Sequence, residues 1–567
     1  MRWKLREAEA AAVSRLRSEA GLSPLMARML AARGMRTAEE AHAYLSPQLS
    51  QLHSPYLMSG MQAAVERLEA AIARKEKILI YGDYDVDGTV AIVLLKTAIE
   101  RLGGTADYHV PHRIRDGYGM KDEVIAGAAE QGVRLIVSVD TGIRAFAAAE
   151  AAQRAGVDLI VTDHHLPEGA ALPRALVVLN PNQPGCEYPC KALCGAGVAF
   201  KVAQALLEKH GRGSLLPSFL KMLAIATIAD AVPLTGENRV FASLGLAGLR
   251  QPANPGLKAL LEVAGLDGGR PISAGDVGFR VAPRINAAGR MDVAQEVIEM
   301  FGARDLERSR QIAERLNQLN ADRQQEEARI LEAAFQRLDG DQALRESYCI
   351  VVEGEGWHRG VIGIVATRVV ERYRRPALVL SIEGGEAHGS GRSLRGFHLL
   401  EALESCAGLF TRFGGHAFAV GCALPAGRVP ELRAALDGFA RARLTPADFE
   451  PALTLDGEVT LDQVTPEFLG ETQRLAPFGM GNPQPVFAAR GARLVQPPFL
   501  LKEKHLKLRV MQGGRAFDAL GWRMGERLAE FQAGGALDLA FTVEQNPNPE
   551  FPGLQLTLSD VAKAGAR

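Results

Sequence analysis

The chain has 567 residues, and its 65 lysines and arginines nearly balance its 66 aspartates and glutamates, which leaves a formal net charge of −1. This balance excludes a global electric field that attracts nucleic acid, so any site for such a ligand must be local. Six cysteines in a chain of this length exclude a disulfide framework and indicate a reducing compartment, and no apolar run is long enough to span a membrane.

Residues 1 to about 76 are predicted to form short helices, such as SPLMARMLAARG and MQAAVERLEAAIARKE. Strand patterns then follow one another as KILIYG, ADYHVP, RLIVSVD, DLIVTDHH and ALVVLN, with helical patterns between the first four of them. Because the strands are almost continuously apolar, this alternation predicts a parallel sheet covered by helices on both faces. Two further helical patterns follow, VAFKVAQALLEKHG and SFLKMLAIATIAD, and Asp230 ends the second.

The rest of the chain indicates three further parts. The stretch from 303 to 338 contains no Gly or Pro and predicts one long, largely solvated connector helix, with a coiled-coil dimer as the alternative. A second α/β unit, from SYCIVVEGEG to PALVLSIEGG, is followed by two glycine-rich loops, GSGRS (389–393) and FGGH (413–416). After residue 450, five short strand patterns, beginning with LTLDGEVT, predict a small closed barrel.

The predicted fold class is therefore α/β. It combines a parallel-sheet domain, a long connector helix, a smaller α/β domain and a C-terminal OB-like β-barrel. The predicted boundaries are 1–76 for the N-terminal helical region, 77–302 for the parallel-sheet domain, 303–342 for the connector, 343–447 for the smaller α/β domain and 448–567 for the barrel.

Acidic and histidine side chains follow three of the predicted strands and end a helix. They are Asp83, Asp85 and Asp87 after KILIYG, Asp140 after RLIVSV, Asp163, His164 and His165 after DLIVT, and Asp230. Groups at the carboxyl ends of parallel strands converge on one crevice, so we expect these side chains to lie together. A cluster of this kind can hold two divalent cations, and two bridged cations catalyse hydrolysis of phosphodiester bonds.

Each motif also has a simpler interpretation. GDYDVDG resembles a calcium loop, but the twelfth position counted from Asp83 is Leu94 instead of Glu, and a strand precedes the loop where an EF-hand has a helix. The loop could instead be a solvated turn, and the histidine pair a polar turn. Neighbouring residues of a strand point to opposite faces, so at most one of His164 and His165 is easily a ligand. Mixed Asp and His ligation favours manganese or magnesium over zinc.

Taken together, these motifs resemble those of the DHH phosphoesterase family. DYDVDG, VSVDTG, TDHH and ATIADAVPL are similar to the family's successive motifs, and GSGRS and FGGHAFAVG are similar to its associated DHHA1 domain. The segment VAPRINAAGRMD (281–292) and the terminal barrel resemble the members that are bacterial exonucleases specific for single-stranded DNA. The resemblance covers essentially the whole chain in order, and it identifies residues 77–302 as a DHH domain and residues 343–447 as a DHHA1 domain.

The resemblance implies a centre of two divalent cations, Mn²⁺ or Mg²⁺. Its implied ligands are Asp140 as the bridging residue, Asp85 for one ion, Asp87 for the other, and His164 and Asp230 to complete the second site. It implies Asp140, His165 and Asp163 as catalytic residues, with His165 near the scissile phosphate, while Asp83 and Asp163 support the site. In the pyrophosphatase branch of the family a further histidine ligand precedes the first aspartate by four residues. Here that position is Tyr81, so we expect more water ligands at the first ion.

Two clusters of basic residues are candidates for binding nucleic acid. The first contains Arg280, Arg284 and Arg290, and the second contains Lys502, Lys504 and Lys507. Arginine forks suit phosphate oxygens, with interdomain salt bridges as the alternative. A basic hairpin on an OB-like barrel fits a single-strand groove, with a solvated edge strand as the alternative. Few aromatic residues accompany these lysines, and Phe499 and Phe517 are the nearest, so we expect contacts to the backbone more than base stacking.

The glycine-rich loop GSGRS is a candidate phosphate site. Residues 389–393 are expected to form a turn whose backbone N–H groups bind a phosphate. The resemblance implies that Ser390, Arg392 and His416 hold the terminal phosphate or nucleotide opposite the metal ions.

The resemblance implies a metal-dependent 5′-to-3′ exonuclease that hydrolyses single-stranded DNA to 5′-mononucleotides and acts in DNA repair and recombination. The alternatives are a nanoRNA or cyclic-dinucleotide phosphodiesterase and a non-catalytic single-strand-binding relative. The barrel and the long connector argue against the first alternative, and the intact acidic positions argue against the second. We expect a cytoplasmic monomer whose partners are single-stranded DNA, a single-strand-binding protein and a RecQ-type helicase, and no membrane, since the N-terminus lacks a signal-peptide core.

Overall fold

The computed structural model describes residues 1–113, 115–117, 119–291, 293–546 and 553–566. Asp292, the last residue of the segment 281–292, lies outside them. The chain forms two compact units, a smaller one of Met1–Gln51, Pro233–Ser243 and Glu450–Arg567 and a larger one of Leu52–Val232 and Leu244–Phe449. The domain boundaries inferred from the sequence stay a prediction.

The strands in chain order are β1 (Arg2–Leu5), β2 (Lys77–Tyr81), β3 (Ala106–His109), β4 (Val133–Val139), β5 (Asp158–Thr162), β6 (Val177–Leu179), β7 (Ile350–Glu355), β8 (Ala377–Glu383), β9 (Glu386–Arg392), β10 (Arg412–His416), β11 (Ala419–Pro425), β12 (Ala452–Leu455), β13 (Gly457–Glu458), β14 (Phe487–Leu494), β15 (Phe499–Leu501), β16 (His505–Gln512), β17 (Arg515–Gly521), β18 (Ala536–Gln545) and β19 (Leu554–Lys563).

The α-helices are α1 (Ala10–Glu19), α2 (Pro24–Ala31), α3 (Ala38–Leu45), α4 (Met61–Ala73), α5 (Val86–Arg101), α6 (Asp122–Glu130), α7 (Phe146–Ala155), α8 (Gly195–Lys209), α9 (Leu216–Ala229), α10 (Gly236–Gly248), α11 (Pro255–Val263), α12 (Ala274–Asp276), α13 (Ala282–Arg290), α14 (Gln295–Gly302), α15 (Leu306–Gly340), α16 (Gln342–Arg345), α17 (Arg359–Tyr373), α18 (Leu399–Glu404), α19 (Val429–Arg441), α20 (Pro466–Gln473) and α21 (Leu528–Phe531).

The larger unit contains a five-stranded parallel sheet in the order β3-β2-β4-β5-β6, as the alternation of strand and helix patterns predicts. Every residue of β4 except Arg134 is buried. Helices α6 and α7 share a core cluster with Ile136 and Val161 of the sheet, and α5 and α8 also pack on β4. The continuously apolar strands are therefore covered on both faces.

A second sheet of the larger unit has the order β10-β11-β9-β8-β7, in which β7 and β8 are parallel and the other neighbours antiparallel. The expectation that GSGRS and FGGH are loops is wrong, because residues 389–392 lie in β9 and residues 413–416 in β10. A Cβ on Gly389 would lie 2.6 Å from Cys422 Sγ, and one on Gly391 would lie 2.7 Å from Val420 Cγ2. A Cβ on Gly389 would also lie 2.5 Å from Leu380 Cδ2 of β8, so these glycines make room for side chains of both β8 and β11.

The predicted long helix is α15, but the expectation that it is largely solvated needs correction. One stripe of it is buried, and the apolar members of this stripe are Ile312, Ala313, Leu316, Ile330, Ala334 and Leu338. Helices α11, α13 and α17 pack against it. Its C-terminal part shares a core cluster with β7, β8 and α17, so α15 contributes to the core of the larger unit.

The smaller unit contains the barrel, which confirms the predicted small closed barrel. Five strands form its ring in the order β14-β18-β19-β17-β16, and β14 also pairs with β16. The segment LTLDGEVT is extended as predicted, but its assignment to the ring is wrong, because it forms β12 and β13 outside the ring. The fifth strand of the ring is β17, whose sequence RAFDALG lacks a regular alternation of apolar and polar residues.

The N-terminal helices belong to the core of the smaller unit. Leu16 of α1 and Leu30 of α2 share a core cluster with Phe487 and Phe541 of the barrel. The first residues were expected to be helical, but residues 2–5 form β1 because they pair in parallel with β12. Among the described residues, no helix combines the length and the apolar character that crossing a bilayer requires.

Candidate metal centre

The predicted ligands lie where elements of the parallel-sheet region begin or end. Asp85 is the N-cap of α5, and Asp87 lies in the first turn of the same helix. Asp140 directly follows β4, and His164 follows β5 by two residues. Asp230 is the C-cap of α9. The strand ends and helix ends therefore bring together residues from five separate positions of the chain.

His164 lies among the carboxylates. Its Nε2 is 3.2 Å from Asp140 Oδ1 and 3.9 Å from Asp87 Oδ2, and its Nδ1 is 4.0 Å from Asp230 Oδ2. Ligand atoms lie within 4.8 Å of one another in two neighbouring groups, one of Asp87, His164 and Asp230 and the other of Asp83, Asp85 and Asp140. Because Asp140 also groups with His164, it lies next to both groups. The assignment of each residue to an ion stays a prediction.

Burial and mutual repulsion disfavour the ionised carboxylates of the cluster. Burial, followed by the charges of Asp87 and Asp85, raises the pKa of Asp140 well above its usual value. The same causes raise the pKa of Asp230 to about 9. Asp83 Oδ1 is buried and accepts no hydrogen bond from the described residues. Divalent cations would offset both costs, so this donor set of carboxylates and imidazole fits such ions.

The backbone at Asp140 adopts an uncommon conformation. Its φ of 60° lies in the left-handed region, which costs free energy in residues other than glycine but which aspartate tolerates better than most. Gly142, two residues later, has a φ of 118°, and a Cβ on it would lie 2.6 Å from Ser138 Oγ. The turn after β4 is therefore tightly specified around Asp140.

Asp163 holds the turn after β5. Its carboxylate accepts hydrogen bonds from the backbone N–H groups of Ile143 (2.9 Å), His164 (2.7 Å) and His165 (3.1 Å), and it lies 2.7 Å from Nδ1 of the His165 ring. Burial alone would raise the pKa of Asp163, but the bond and charge of His165 lower it. Burial lowers the pKa of His165, and the Asp163 bond more than offsets this, so the net direction is upward. Asp163 therefore favours a protonated His165.

Two asparagines that the sequence analysis missed also hold this turn. Asn180 Nδ2 donates to the carbonyl oxygen of His165, and Asn182 Nδ2 donates to that of His164, both at 2.8 Å. Asn180 is fully buried, and its Oδ1 accepts from the backbone N–H of Asn182 at 2.7 Å. The available signal was the segment NPN directly after a predicted strand, because asparagine commonly bonds backbone groups in turns.

Tyr81 does not lie among the ligands. Its hydroxyl donates to the carbonyl oxygen of Gly119 at 3.3 Å and accepts from the backbone N–H of Lys121 at 3.2 Å. Burial raises the pKa of Tyr81 to about 12. The tyrosine therefore anchors the segment before α6, and it offers no charged ligand in place of the histidine of the pyrophosphatase branch.

Arg113 is a further residue that the sequence analysis missed. Its guanidinium lies 4.9 Å from the centroid of the Tyr84 ring. Its positive charge lowers the pKa of Asp83 and of Asp85, although burial and repulsion leave both pKa values raised. Arg113 therefore lies close enough to the carboxylate cluster to interact with it and with an anion bound there.

Arg290 and Arg392 lie with Arg113 in a group of cations. Burial, followed by the charges of Arg113, Arg323 and Arg392, lowers the pKa of Arg290 to about 9. Burial and Arg113 lower the pKa of Arg392, and burial, Arg392 and a neighbouring histidine lower the pKa of His416. Cations that destabilise one another in this way are stabilised by an anion, such as a phosphate group.

The backbone of GSGRS does not form the expected phosphate turn. Residues 389–392 pair with β8 on one side and with β11 on the other, so the sheet uses their backbone groups. The predicted backbone cradle is therefore wrong. The side chains of Ser390 and Arg392 do lie together, because Arg392 Nη1 donates to Ser390 Oγ at 3.2 Å.

Arg280 and Arg284 are engaged elsewhere. Arg280 donates to the carbonyl oxygens of Ala264 (2.5 Å) and Gly265 (3.0 Å), just after α11. Arg284 Nε donates to Asn317 Oδ1 of α15 at 3.0 Å. These bonds tie α13 and the turn before it to neighbouring helices, so the geometry gives no support to the prediction that the two arginines bind nucleic acid.

The three predicted lysines of the smaller unit differ in their surroundings. Lys502 and Lys504 are exposed in the turn between β15 and β16. Lys507 Nζ lies 3.1 Å from Asp518 Oδ2, and Arg509 Nη1 lies 2.6 Å from Oδ1 of the same carboxylate, so one aspartate offsets only part of the charge of these two cations. Phe517 is buried, whereas Trp522, which the sequence analysis missed, is 50% exposed. Base stacking on this surface is therefore available to Trp522 and also to Phe499, which is 40% exposed.

Three family models match the chain. Residues 77–227 match the DHH family, N-terminal domain, residues 346–442 match the DHHA1 domain, and residues 455–560 match the RecJ OB domain.

Known proteins match the chain over nearly its whole length. It is 38% identical to the single-stranded-DNA-specific exonuclease RecJ of Bacillus subtilis, over 99% of this chain and 71% of the relative. A crystal structure of Thermus thermophilus RecJ in complex with Mn²⁺ superimposes with a TM-score of 0.86 at 30% identity and covers 100% of this chain and 80% of that one. A second, in complex with Mg²⁺, has a TM-score of 0.78 at 29% identity and covers 100% of this chain and 79% of that one.

Proposed function

Because the chain belongs to the RecJ family, we propose that it is a metal-dependent exonuclease that hydrolyses single-stranded DNA to 5′-mononucleotides in the 5′-to-3′ direction. The observation that carries the proposal is the convergence of Asp85, Asp87, Asp140, His164 and Asp230 on one cluster. The family relationship supports a role in DNA repair and recombination.

Two divalent cations, Mn²⁺ or Mg²⁺, are the proposed cofactors. Asp85, Asp87, Asp140, His164 and Asp230 would hold them, and Asp140 is the residue that lies beside the other ligands of both groups. The ions would supply activation of water and stabilisation of charge on the phosphate oxygens. Asp83 would support the cluster from its buried position.

His165 and Asp163 are the proposed proton-handling pair. The Asp163 carboxylate favours the protonated ring, and the His165 side chain is 43% exposed, which leaves it accessible to a substrate. His165 would donate a hydrogen bond to a phosphate oxygen or a proton to the departing 3′ oxygen. Asp163 would keep the ring in the required orientation.

Arg290, Ser390, Arg392 and His416 are the proposed site of the terminal 5′-phosphate, together with Arg113. The mutual repulsion of Arg113, Arg290 and Arg392 supports this assignment, because a terminal phosphate carries more negative charge than an internal one. A site that recognises the end of the strand would enforce the direction of degradation. Lys502 and Lys504 would bind the phosphate backbone of the strand without reading its sequence.

We propose the cytoplasm as the location, a monomer as the working form, and a single-strand-binding protein and a RecQ-type helicase as protein partners. These assignments rest on the family relationship alone. Sedimentation of the full chain would measure its oligomeric state, and co-purification would test its two proposed protein partners.

A comparison of three substrates with Mn²⁺ tests the proposed function. The substrates are long single strands with a labelled 5′ phosphate, dinucleotides, and blunt hairpins. We expect labelled mononucleotides from the long single strands and no cleavage of the hairpins. Cleavage of dinucleotides alone would select a nanoRNA phosphodiesterase, and binding without cleavage would select a non-catalytic relative. Either result would overturn the proposal.

A further inference from the structure

Helix α8 begins against the carboxylate cluster. The backbone N–H of Gly195 donates to Asp87 Oδ2 at 2.5 Å, and the N–H of Ala196 donates to Asp87 Oδ1 at 2.9 Å. Both oxygens of one predicted ligand are therefore fixed by the first turn of a helix more than a hundred positions away in the sequence. The N-terminus of a helix carries partial positive charge, which stabilises the carboxylate in this orientation.

The same glycine also lies against Asp140. A Cβ on Gly195 would lie 2.5 Å from Asp140 Cβ, 2.5 Å from Oδ1 and 2.7 Å from Cγ. Such distances force a displacement, because they are far below van der Waals contact. Asp140 has little freedom to yield on its own backbone, since its φ of 60° is held in the tight turn after β4. Gly195 is thus the point at which α8 contacts two predicted ligands, Asp87 in the first turn of α5 and Asp140 directly after β4.

We infer that Gly195 is a positioning residue, which sets the separation between the carboxylates of Asp87 and Asp140 and thereby their joint affinity for divalent cations. The inference rests on the proposed metal-dependent function. The backbone N–H of Gly195 orients Asp87, and its missing side chain leaves the volume that the Asp140 carboxylate occupies. A methyl group at this position would displace Asp140 from its place beside His164, whose Nε2 lies 3.2 Å from Asp140 Oδ1. The backbone of Gly195 does not lie at positive φ, so its conformation does not require glycine. The close approach of Asp140 is what requires it.

Gly197, two residues further along α8, provides a matched control. It is buried in the same helix, and a Cβ on it would lie 3.4 Å from Leu193 Cβ and 3.7 Å from Cys194 Sγ, which are ordinary contacts. Gly197→Ala therefore adds the same methyl group to the same helix without touching a carboxylate. Helix propensity favours alanine at both positions, so propensity alone predicts no loss in either variant.

The test measures Mn²⁺ binding by equilibrium dialysis and elemental analysis, with folding checked by circular dichroism in EDTA. For wild type we expect two ions per chain. We expect Gly195→Ala to weaken binding of at least one ion by about 10- to 100-fold, the range found when a residue that orients a ligand is changed. Gly197→Ala should bind as wild type does. Equal affinity of Gly195→Ala and Gly197→Ala would overturn the inference, whereas a wild type that binds no Mn²⁺ would overturn the proposed function instead.

A second background keeps the test decisive if Gly195→Ala alone is unstable. Asp140→Gly removes the atoms that the new methyl group would meet, and glycine accepts the left-handed backbone at this position. We expect Gly195→Ala to lower the thermal unfolding midpoint of the metal-free protein when Asp140 is present and to leave it unchanged in the Asp140→Gly background. An equal decrease in both backgrounds would show that the glycine is needed for α8 itself, and the inference would fail.

Discussion

The two sheets of the larger unit carry their polar side chains in different places. In the parallel sheet, Asp140 and Asp163 come just after strands, and the strands themselves are buried and apolar. In the mixed sheet, Ser390 and Arg392 lie within β9, between β8 and β11. The position of a side chain beyond a strand end is set by the turn that holds it. The position of a side chain within a strand is set by the pairing of that strand in the sheet.

The largest effect that this comparison predicts is at Asp140. We expect Asp140→Ala to reduce turnover of single-stranded DNA by at least about 10³-fold, because removal of one essential group commonly has an effect of this size. Asp83→Ala should retain more activity, because Asp83 belongs to only one of the two ligand groups. Initial rates at saturating Mn²⁺ provide the measurement. Equal residual turnover in the two variants would contradict the bridging role of Asp140.

The next effect concerns the mixed sheet. We expect Arg392→Ala to raise KM for a 5′-phosphorylated strand by about 10- to 100-fold, because a charge-assisted hydrogen bond contributes a few kcal/mol. The exposed Arg395, three residues later, supplies the control Arg395→Ala, which should leave KM unchanged. Strands with a 5′ hydroxyl should respond less to Arg392→Ala. If both strands lose the same amount, Arg392 does not bind the terminal phosphate.

A smaller effect extends the comparison to the barrel, where the basic residues lie in a turn. Changing Lys502 and Lys504 together to Gln should reduce the slope of log affinity against log salt by about 1.4, since each contact to a single-strand phosphate contributes about 0.7. Lys507→Gln should reduce the slope by less than the loss of either exposed lysine does, because Lys507 already contacts the Asp518 carboxylate. Fluorescence titrations of long single strands in EDTA would measure these slopes. A larger decrease in slope for Lys507→Gln than for the double variant would contradict the assignment of Lys502 and Lys504 to phosphate binding.

The smallest effect is on stability and depends on pH. Asp230 has a pKa of about 9 in the folded protein and 3.8 as its reference value. The folded metal-free protein therefore binds more protons between these values, and its stability falls as pH rises through them. We expect the unfolding midpoint in EDTA to decrease by a few degrees between neutral pH and pH 9, and Asp230→Asn to flatten this decrease. Mn²⁺ should raise the midpoint more at the higher pH, because it then displaces fewer protons.

Much of the parallel-sheet region could be predicted from the sequence. Its strands are apolar over their length, and its polar groups stand directly after them. The residues that indicate the strands and the residues that carry candidate functional side chains are therefore different ones. In β9 the same short segment contains the packing glycines and the candidate site residues. Gly389 and Gly391 are needed for packing against β8 and β11, but in the sequence they resemble a loop. Arg113 and Asn180 could not be ranked from sequence, since their importance comes from contacts outside their own segments, with the Tyr84 ring for Arg113 and with the backbone of His165 for Asn180. The many charged residues of α15 likewise made its narrow buried stripe difficult to predict from the sequence.

The hydrogen bonds of Asp163 join two turns that the sequence separates. Its carboxylate holds the amide of Ile143, after β4, as well as the amides of His164 and His165, after β5. These three amide protons should therefore show similar protection from exchange with deuterium, once each rate is compared with its intrinsic chemical rate, since all three donate to one carboxylate. The turn that carries the implied bridging ligand and the turn that carries the histidines would then loosen together in a single local opening event, instead of fluctuating independently.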